Sequence, residues 1–494
     1  MALLLPELPF YFPIFIKMKT AHMKTISTLL FLFVFGAIHA QLAYTQSTYS
    51  YDSIIDYPYG MEINYAGNVD TLLMDIYKPH GDGNCLRPVI VLVHGGSWVA
   101  GSKEDGDLVY LSRNLAKKGW VVANINYRLG THKAANYTMY PFCSTSLSAP
   151  CGYICDSSEI YRANFRGMQD AKGVIRLMKT RHLLDSSDVN NVFIAGESAG
   201  GFVAFAAAFT DQLSEKPANC YAIANAPTPD PDFATYGCNP STISFARPDL
   251  GSIDGTFYTG VYDASVKGIG SFFGGVMDIS IFNQAGNTPA VYMFHQGSDV
   301  VVDYQYNKLL GRINWECYSQ SNICQNYYFY PYAYGSDGLR QYFVSIGSNA
   351  PAYQADIVNN YNYMNDCFAN GHSVDNLQTR LQNMVSLFSP IITASGNDPL
   401  TNCATMGINN ETIVSSFFVS PNPSLNQINL QFMQPVEHPL IRIYSSIGKL
   451  VYEEKMAAGK TMQLHLETNL ADGCYFISVQ SGELESTEKF FIAK

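Results

Sequence analysis

Two hydrophobic rhythms run through the chain, and the change from one to the other divides it. In the larger part the apolar residues come in solid runs. Pro88-Val89-Ile90-Val91-Leu92-Val93 is a continuous apolar run of strand length, the pattern of a strand buried on both faces under covering helices. A second run, Asn191-Val192-Phe193-Ile194-Ala195, passes through a glycine turn into the small-residue stretch Gly201-Phe202-Val203-Ala204-Phe205-Ala206-Ala207-Ala208. That order predicts strand, sharp turn, helix, and an α/β class. Near Ala394-Ser395-Gly396-Asn397-Asp398-Pro399 the helical patterns stop and turn residues take over. Beyond this point apolar and polar residues alternate in short stretches: Gln427–Phe432, Leu440–Tyr444 and Cys474–Val479. Ile447-Gly448-Lys449 and Asp472-Gly473 are among the turn signals between them. Short alternating strands at this spacing predict a small β-sandwich.

The turn between the second run and its helix is Gly196-Glu197-Ser198-Ala199-Gly200. Glycines flank the serine because a tight strand-to-helix turn strains its apex residue and crowds its neighbours. The strain lifts the hydroxyl to the sheet edge, where a base could activate it as a nucleophile. The first run ends in His94-Gly95-Gly96-Ser97-Trp98. Glycines after a buried strand leave bare backbone N–H groups that can approach a ligand. Acyl transfer needs such donors where charge develops on the carbonyl oxygen. The candidates are the N–H groups of Gly96, Ser97 and, just after the nucleophile, Ala199. Each motif alone also fits an ordinary glycine turn; their succession in this order favours the chemical reading.

On these two motifs the chain resembles the α/β-hydrolase family, in the branch of carboxylesterases and lipases with an HGG-type oxyanion loop. The resemblance covers roughly Thr71 to Leu387. Leu73–Pro79 resembles the family's early strand, Val121–Leu129 its "Y-R-L" strand, and Asp170–Leu177 the helix before the nucleophile strand. It implies a doubly wound, mostly parallel sheet, with an acid and then a histidine following the serine. Downstream of Ser198 lie His295, His372, His438 and His465. The last two fall in the C-terminal module. Pro289–Asp299 resembles the family's late strand, which makes Asp299 the acid and leaves His295 as packing at the strand end. His372, in a Gly-His loop before a helix, remains as the base. Asp303 competes with Asp299, and Glu197 is expected to be a buried supporting residue. The implied reaction is ester hydrolysis through an acyl-enzyme, with no metal or organic cofactor required. The sequence has no H-E-x-x-H, no paired C-x-x-C and no P-loop.

The ends speak to export. Lys24, the apolar run Leu29–Phe35 and Ala37-Ile38-His39-Ala40 read as a signal peptide over residues 1–40. Met18 and Met23 are alternative starts, so 1–17 or 1–22 reads as a possible extension. Residues 41–400 are then the catalytic domain, 401–414 a linker and 415–494 the sandwich. The order "PNP", "S-S-I-G-K-L-V", "L-A-D-G-C-Y-F-I-S-V" and a closing Lys-Phe-Phe resembles the type IX secretion sorting domain of Bacteroidota. That implies an encounter with the secretion machinery and a secreted or outer-surface location, reached through the periplasm. The 11 cysteines suit an oxidising compartment. Cys220/Cys238 and Cys317/Cys324 are close enough in sequence for local bridges, although the odd count leaves one thiol over. The net charge of −11, without basic runs, excludes nucleic acid and anionic membrane surfaces as favoured partners. The short h-region is not a comfortable membrane span.

Two long insertions, Thr131–Ala163 and Tyr304–Asn365, are expected as loops near the site. Their tyrosines fit either an aromatic cleft for an aryl or polymeric ester or a disulfide-pinned surface decoration. The leading expectation is a secreted serine esterase acting on short acyl, acetyl or feruloyl esters, including those of polysaccharides. Alternatives are a prolyl-oligopeptidase-type peptidase, a polyester or lipid hydrolase, and a catalytically dead adhesion protein.

Overall fold

The computed structural model describes residues 44–84, 86–132, 156–223, 246–282, 288–312, 330–358, 371–392, 417–420, 424, 427–445, 448–466, 470–471, 473–482 and 484–492. The elements of the larger part are β1 (Ser50–Ile63), β2 (Val69–His80), β3 (Arg87–Val93), α1 (Gly106–Lys117), β4 (Val121–Ile125), α2 (Ser158–Thr180), α3 (His182–Asp185), β5 (Ser187–Glu197), α4 (Ala199–Phe209), β6 (Gly268–Phe272), β7 (Ala290–Gln296), β8 (Tyr306–Lys308), β9 (Tyr332–Tyr334), α5 (Ser336–Ile346), β10 (Tyr353–Val358) and α6 (Leu377–Phe388).

Eight of these strands form one sheet in the order β1-β2-β4-β3-β5-β6-β7-β10. The β1/β2 and β2/β4 pairs are antiparallel. From β4 to β10 every pair is parallel. The apolar runs occupy the middle: Val89 to Val93 and Val192 to Ala195 are buried on both faces. One face lies under α2, α4 and α5, and the other under α1 and α6. Covering both faces is what makes solid apolar runs necessary, since neither side of these strands meets water.

Several elements were hidden from the pattern. β6 reads Gly-Ile-Gly-Ser-Phe, an unpromising strand, because glycine weakens a strand interior. The glycines answer to packing: a Cβ on Gly268 would sit 2.7 Å from the Phe388 ring, and one on Gly270 2.4 Å from the Met384 sulfur. α6 therefore lies directly on this strand. The segment Tyr304–Asn365, expected as a loop, instead carries the β8–β9 ribbon, α5 and the edge strand β10. β10 escapes notice because all six of its residues are half-buried and show no clear alternation. Of the other insertion, residues 133–155 lie outside the described residues, and α2 begins at Ser158.

The C-terminal part folds as β11 (Phe417–Ser420), β12 (Gln427–Val436), β13 (Leu440–Ser445), β14 (Leu450–Lys455), β15 (Gly459–His465), β16 (Gly473–Ser481) and β17 (Leu484–Ile492). They pair as two antiparallel sheets, β11-β12-β15 and β14-β13-β16-β17. Ile428, Leu430 and Phe432 of one sheet and Ile441, Ile443, Ile477 and Val479 of the other meet in a common core. The period of two puts them on the inner faces. Phe418 packs edge-on against Tyr57 of β1 with ring centroids 5.4 Å apart.

A buried ion pair ties the loop after β4 to α2. Arg128 places Nη2 2.7 Å from Asp170 Oδ1, and the Arg128 backbone N–H donates to Asp170 Oδ2 at 2.8 Å. Both side chains are buried. Removing one charge leaves the other stranded, so Asp170→Asn should lower stability by ~3–5 kcal/mol. Urea unfolding at neutral pH checks this; a midpoint indistinguishable from wild type would contradict it.

Candidate active site

Ser198 stands between β5 and α4 with φ 51° and ψ −121°. A non-glycine residue held there stores on the order of 1–3 kcal/mol of strain. The surroundings impose it. A Cβ on Gly200 would lie 2.1 Å from the Val93 carbonyl oxygen, and one on Gly196 2.3 Å from the Gly200 carbonyl carbon. The turn is thus pressed against the end of β3, and only glycine permits the approach. The Ser198 N–H donates to Phe272 O at 2.9 Å, which carries the β5–β6 pairing to the apex.

His372 Nε2 lies 2.7 Å from Ser198 Oγ, and His372 Nδ1 lies 2.7 Å from Asp299 Oδ2. The three side chains come from the β5–α4 turn, the turn after β7 and the loop before α6. That loop is seated by close contact: a Cβ on Gly371 would lie 2.4 Å from the Ser298 carbonyl, and Gln296 Nε2 donates to Ser373 O at 2.8 Å. The Phe273 ring stands edge-on to the imidazole at 4.7 Å.

Asp299 is fully buried. Burial pushes its carboxyl up, but the electrostatic pull of the His372 ring and hydrogen bonds from His295 and His372 outweigh this and hold it at about 2. Its Oδ1 also accepts the N–H groups of Val301 and Val302 at 2.8 and 3.0 Å. An ionised carboxylate can only accept, so His372 Nδ1 carries the proton and Nε2 is left to accept from the Ser198 hydroxyl. Asp303 does something else: its carboxylate accepts from the Gln305 N–H and Asn307 Nδ2 and caps a turn.

His295 has more than a packing position. The Ser336 N–H donates to its Nδ1, so Nε2 bears the proton, and that nitrogen lies 3.1 Å from Asp299 Oδ2 and 2.9 Å from Val302 O. The Asp299 carboxylate therefore has two imidazole donors on one oxygen. The sequence carried a signal for this, since His295 and Asp299 are four residues apart across a tight turn, but the turn's geometry was needed to aim one at the other.

Gly96, Ser97 and Trp98 follow one another with φ of 100°, 53° and 60°. The Gly96 carbonyl accepts from the N–H groups of Val99 and Ala100 at 3.0 Å. The Trp98 indole is buried, donates to Asn164 Oδ1 at 3.1 Å and stands against Phe202. Gly95 borders Ser198, as a Cβ there would lie 3.1 Å from Ser198 Cβ. Ala199 opens α4, where backbone N–H groups lack intrahelical acceptors. Gly95 thus sets the loop that carries Gly96 and Ser97 against Ser198, and Ala199 follows Ser198 directly in the chain. His94 is buried and stacked on Tyr127 at 4.5 Å, with Nδ1 donating to Gly95 O.

Of the 11 cysteines, only Cys220 and Cys474 are among the described residues, and both are free thiols there. Cys238, Cys317 and Cys324 lie outside the described residues, as does the signal-like segment 1–40. Among the described residues no group of three or more His, Cys, Asp or Glu is arranged to hold a metal ion. No described helix is long and apolar enough to cross a membrane.

Glu197 is buried beside Ser198, and its Oε1 has no hydrogen-bond partner. Burial, reinforced by Asp107 and Asp105, pushes its carboxyl up to about 8. The folded protein therefore holds a proton here that the unfolded chain releases above about 4.5. Stability from this group is complete below that value and is lost as pH rises towards 8. Glu197→Gln has no proton to lose, so its melting temperature relative to wild type should climb steadily between pH 5 and 8. Parallel melting-temperature profiles for the two proteins would refute this.

Residues 74–166 match the BD-FAE family model, an α/β-hydrolase esterase domain, and residues 419–493 match the secretion system C-terminal sorting domain. Esterase-5B of Drosophila persimilis is 25% identical over 138 residues, covering 28% of this chain and 21% of the esterase. Bile salt-activated lipase of Homo sapiens is 27% identical over 142 residues, covering 27% and 16%. Neuroligin-like protein glit-1 of Caenorhabditis elegans, not named for an enzyme, is 27% identical over 148 residues, covering 30% and 16%. The chain thus spans about a fifth or less of the length of these relatives. Among solved structures, a truncated carbohydrate esterase from gut microbiota aligns with a TM-score of 0.39 at 15% identity, covering 70% of this chain and 98% of that one. The sorting domain implies secretion or a cell-surface location. By its sheet and the turn at Ser198 the chain has an α/β-hydrolase fold, with a segment similar to the BD-FAE esterase domain and a C-terminal segment similar to the type IX secretion sorting domain.

Proposed function

We propose that the protein is an exported serine carboxylic-ester hydrolase in which Ser198, His372 and Asp299 act as a catalytic triad. The observation that carries this is the unbroken pair of 2.7 Å contacts from Ser198 Oγ through the His372 ring to Asp299 Oδ2. His372 Nε2 takes the proton of Ser198 as Oγ attacks the ester carbonyl. Asp299 orients the ring and stabilises the imidazolium without itself accepting the proton. The oxyanion is met by the N–H groups of Gly96, Ser97 and Ala199. Collapse of the tetrahedral intermediate releases the alcohol, with His372 returning the proton to it. Water activated by His372 then attacks the acyl-Ser198 ester and frees the acid.

The substrates are short acyl, acetyl or feruloyl esters, including esters borne on polysaccharides. The sorting domain supports a large substrate, because a polymer outside the cell cannot be imported whole. The route runs through the periplasm and across the outer membrane.

A fluorophosphonate probe should label the wild type and not Ser198→Ala. Asp299→Asn should lower kcat for p-nitrophenyl acetate by about 10⁴-fold. A wild type that is neither labelled nor active on p-nitrophenyl acetate, methyl ferulate and acetylated xylan would end the esterase reading. His295 is a positioning residue in this scheme. His295→Asn should lower kcat on the order of 10²-fold with KM little changed, whereas equal loss of folded protein and activity would mark it as merely structural.

A further inference from the structure

A cavity of about 570 Å³ lies beside α2, walled on one side by the turn that joins β1 to β2 and on another by residues 246–257. None of Ser198, Asp299 and His372 lines it. Its volume falls in the usual range of small-molecule sites, roughly 300–1,000 Å³. Arg162 and Arg166, one turn apart on α2, both line it, and both are 3% exposed.

Their bonding leaves their charges uncompensated. Arg162 donates to the carbonyls of Asn219, Tyr221 and Pro248. Arg166 donates from Nη2 to the Gly130 carbonyl at 2.7 Å, and its buried Nε has no partner. Among the described residues neither guanidinium forms an ion pair, because the nearby carboxylates are engaged elsewhere. Asp170 holds Arg128 at 2.7 Å, Asp156 holds Arg247 at 2.7 Å, and Asp249 holds Lys216 at 2.6 Å. Glu159 lies 3.8 Å from Arg247 and accepts the His132 N–H through Oε2 at 2.8 Å. Glu62, on the cavity wall, accepts from the Thr256 hydroxyl. His132, also on the wall, is pushed down by burial and then by Arg166, Arg247 and Arg162, which reports a positive field inside. Buried charges in proteins are ordinarily paired, because an isolated one costs several kcal/mol of lost hydration. Two cations facing one cavity without counter-ions call for an anion from outside. The planar guanidinium fork matches the two oxygens of a carboxylate or sulfate.

We propose that this cavity is a binding site for a small ligand bearing an oxyanion, a carboxylate or a sulfate, held by Arg162 and Arg166. The ligand is of monosaccharide size or less, either a free inorganic anion or an acidic sugar. The proposal does not depend on the esterase reading, since binding is read without turnover.

Isothermal titration of the full chain at low ionic strength, with sodium sulfate, D-galacturonate and neutral D-galactose as separate probes, tests it. At least one anion should bind saturably, and galactose should not. Saturable galacturonate would identify a sugar acid, and sulfate alone would identify an inorganic anion or sulfate group. Arg166→Gln should weaken binding at least tenfold. Should that variant fail to fold, Ser252→Asp decides. Ser252 is exposed at the cavity rim, and its hydroxyl accepts from the Asp254 N–H, a bond aspartate can also make. The added charge should weaken anion binding several-fold. No saturable binding of either anion, equal binding of galactose, or unchanged affinity in the variants would overturn the proposal.

Discussion

The approach of the Gly196–Gly200 turn to the end of β3 is the constraint on which the rest of the site depends. With Gly200 against the Val93 carbonyl there is no room for a side chain, and the two central strands must end at the same level. That contact does three things at once. It forces Ser198 into its strained conformation, starts α4 at Ala199, and brings the loop after β3 alongside the hydroxyl. Loosening it would relax the serine and move the backbone N–H groups away from it together.

Around this fixed point the electrostatics are ordered in layers. Asp299 is buried yet ionised, because two imidazoles and two backbone N–H groups replace the water it lost. Its charge sets the tautomer of His372, and that tautomer sets which way the Ser198 proton points. Glu197, also buried and one residue from the serine, has no such donor on Oε1, and its carboxyl is pushed up to about 8. Two carboxyls at one site are thus shifted in opposite directions, for a reason visible in their hydrogen bonds. The arginines around α2 show the same rule. Arg128, in the loop after β4, has Asp170, whereas Arg162 and Arg166 on the helix have only carbonyls.

Legibility followed the source of each residue's constraint. Ser198 could be named because its glycines are neighbours in sequence. The strands β3 and β5 showed themselves because burial on both faces demands unbroken apolar runs. β6 did not, because its glycines serve α6, a helix that arrives more than a hundred residues later. The edge strand β10 is hidden because an edge exposes part of every residue and blurs the alternation. The role of His295 is hidden because its partner, Asp299, turns towards it only when Val301 and Val302 bind the other carboxylate oxygen.

By itself, then, the sequence determined the local pieces: solid strands, a glycine-flanked serine, an alternating C-terminal sandwich, and a short roster of acids and histidines in the right order. Period and turn chemistry are local, so they survive in one dimension. Which imidazole faces the serine, which carboxylate stays charged, and which arginines are left without a counter-ion were decided only by folding. Those outcomes rest on distances between groups far apart in the chain and on the water each has lost, and neither quantity is written in the order of residues.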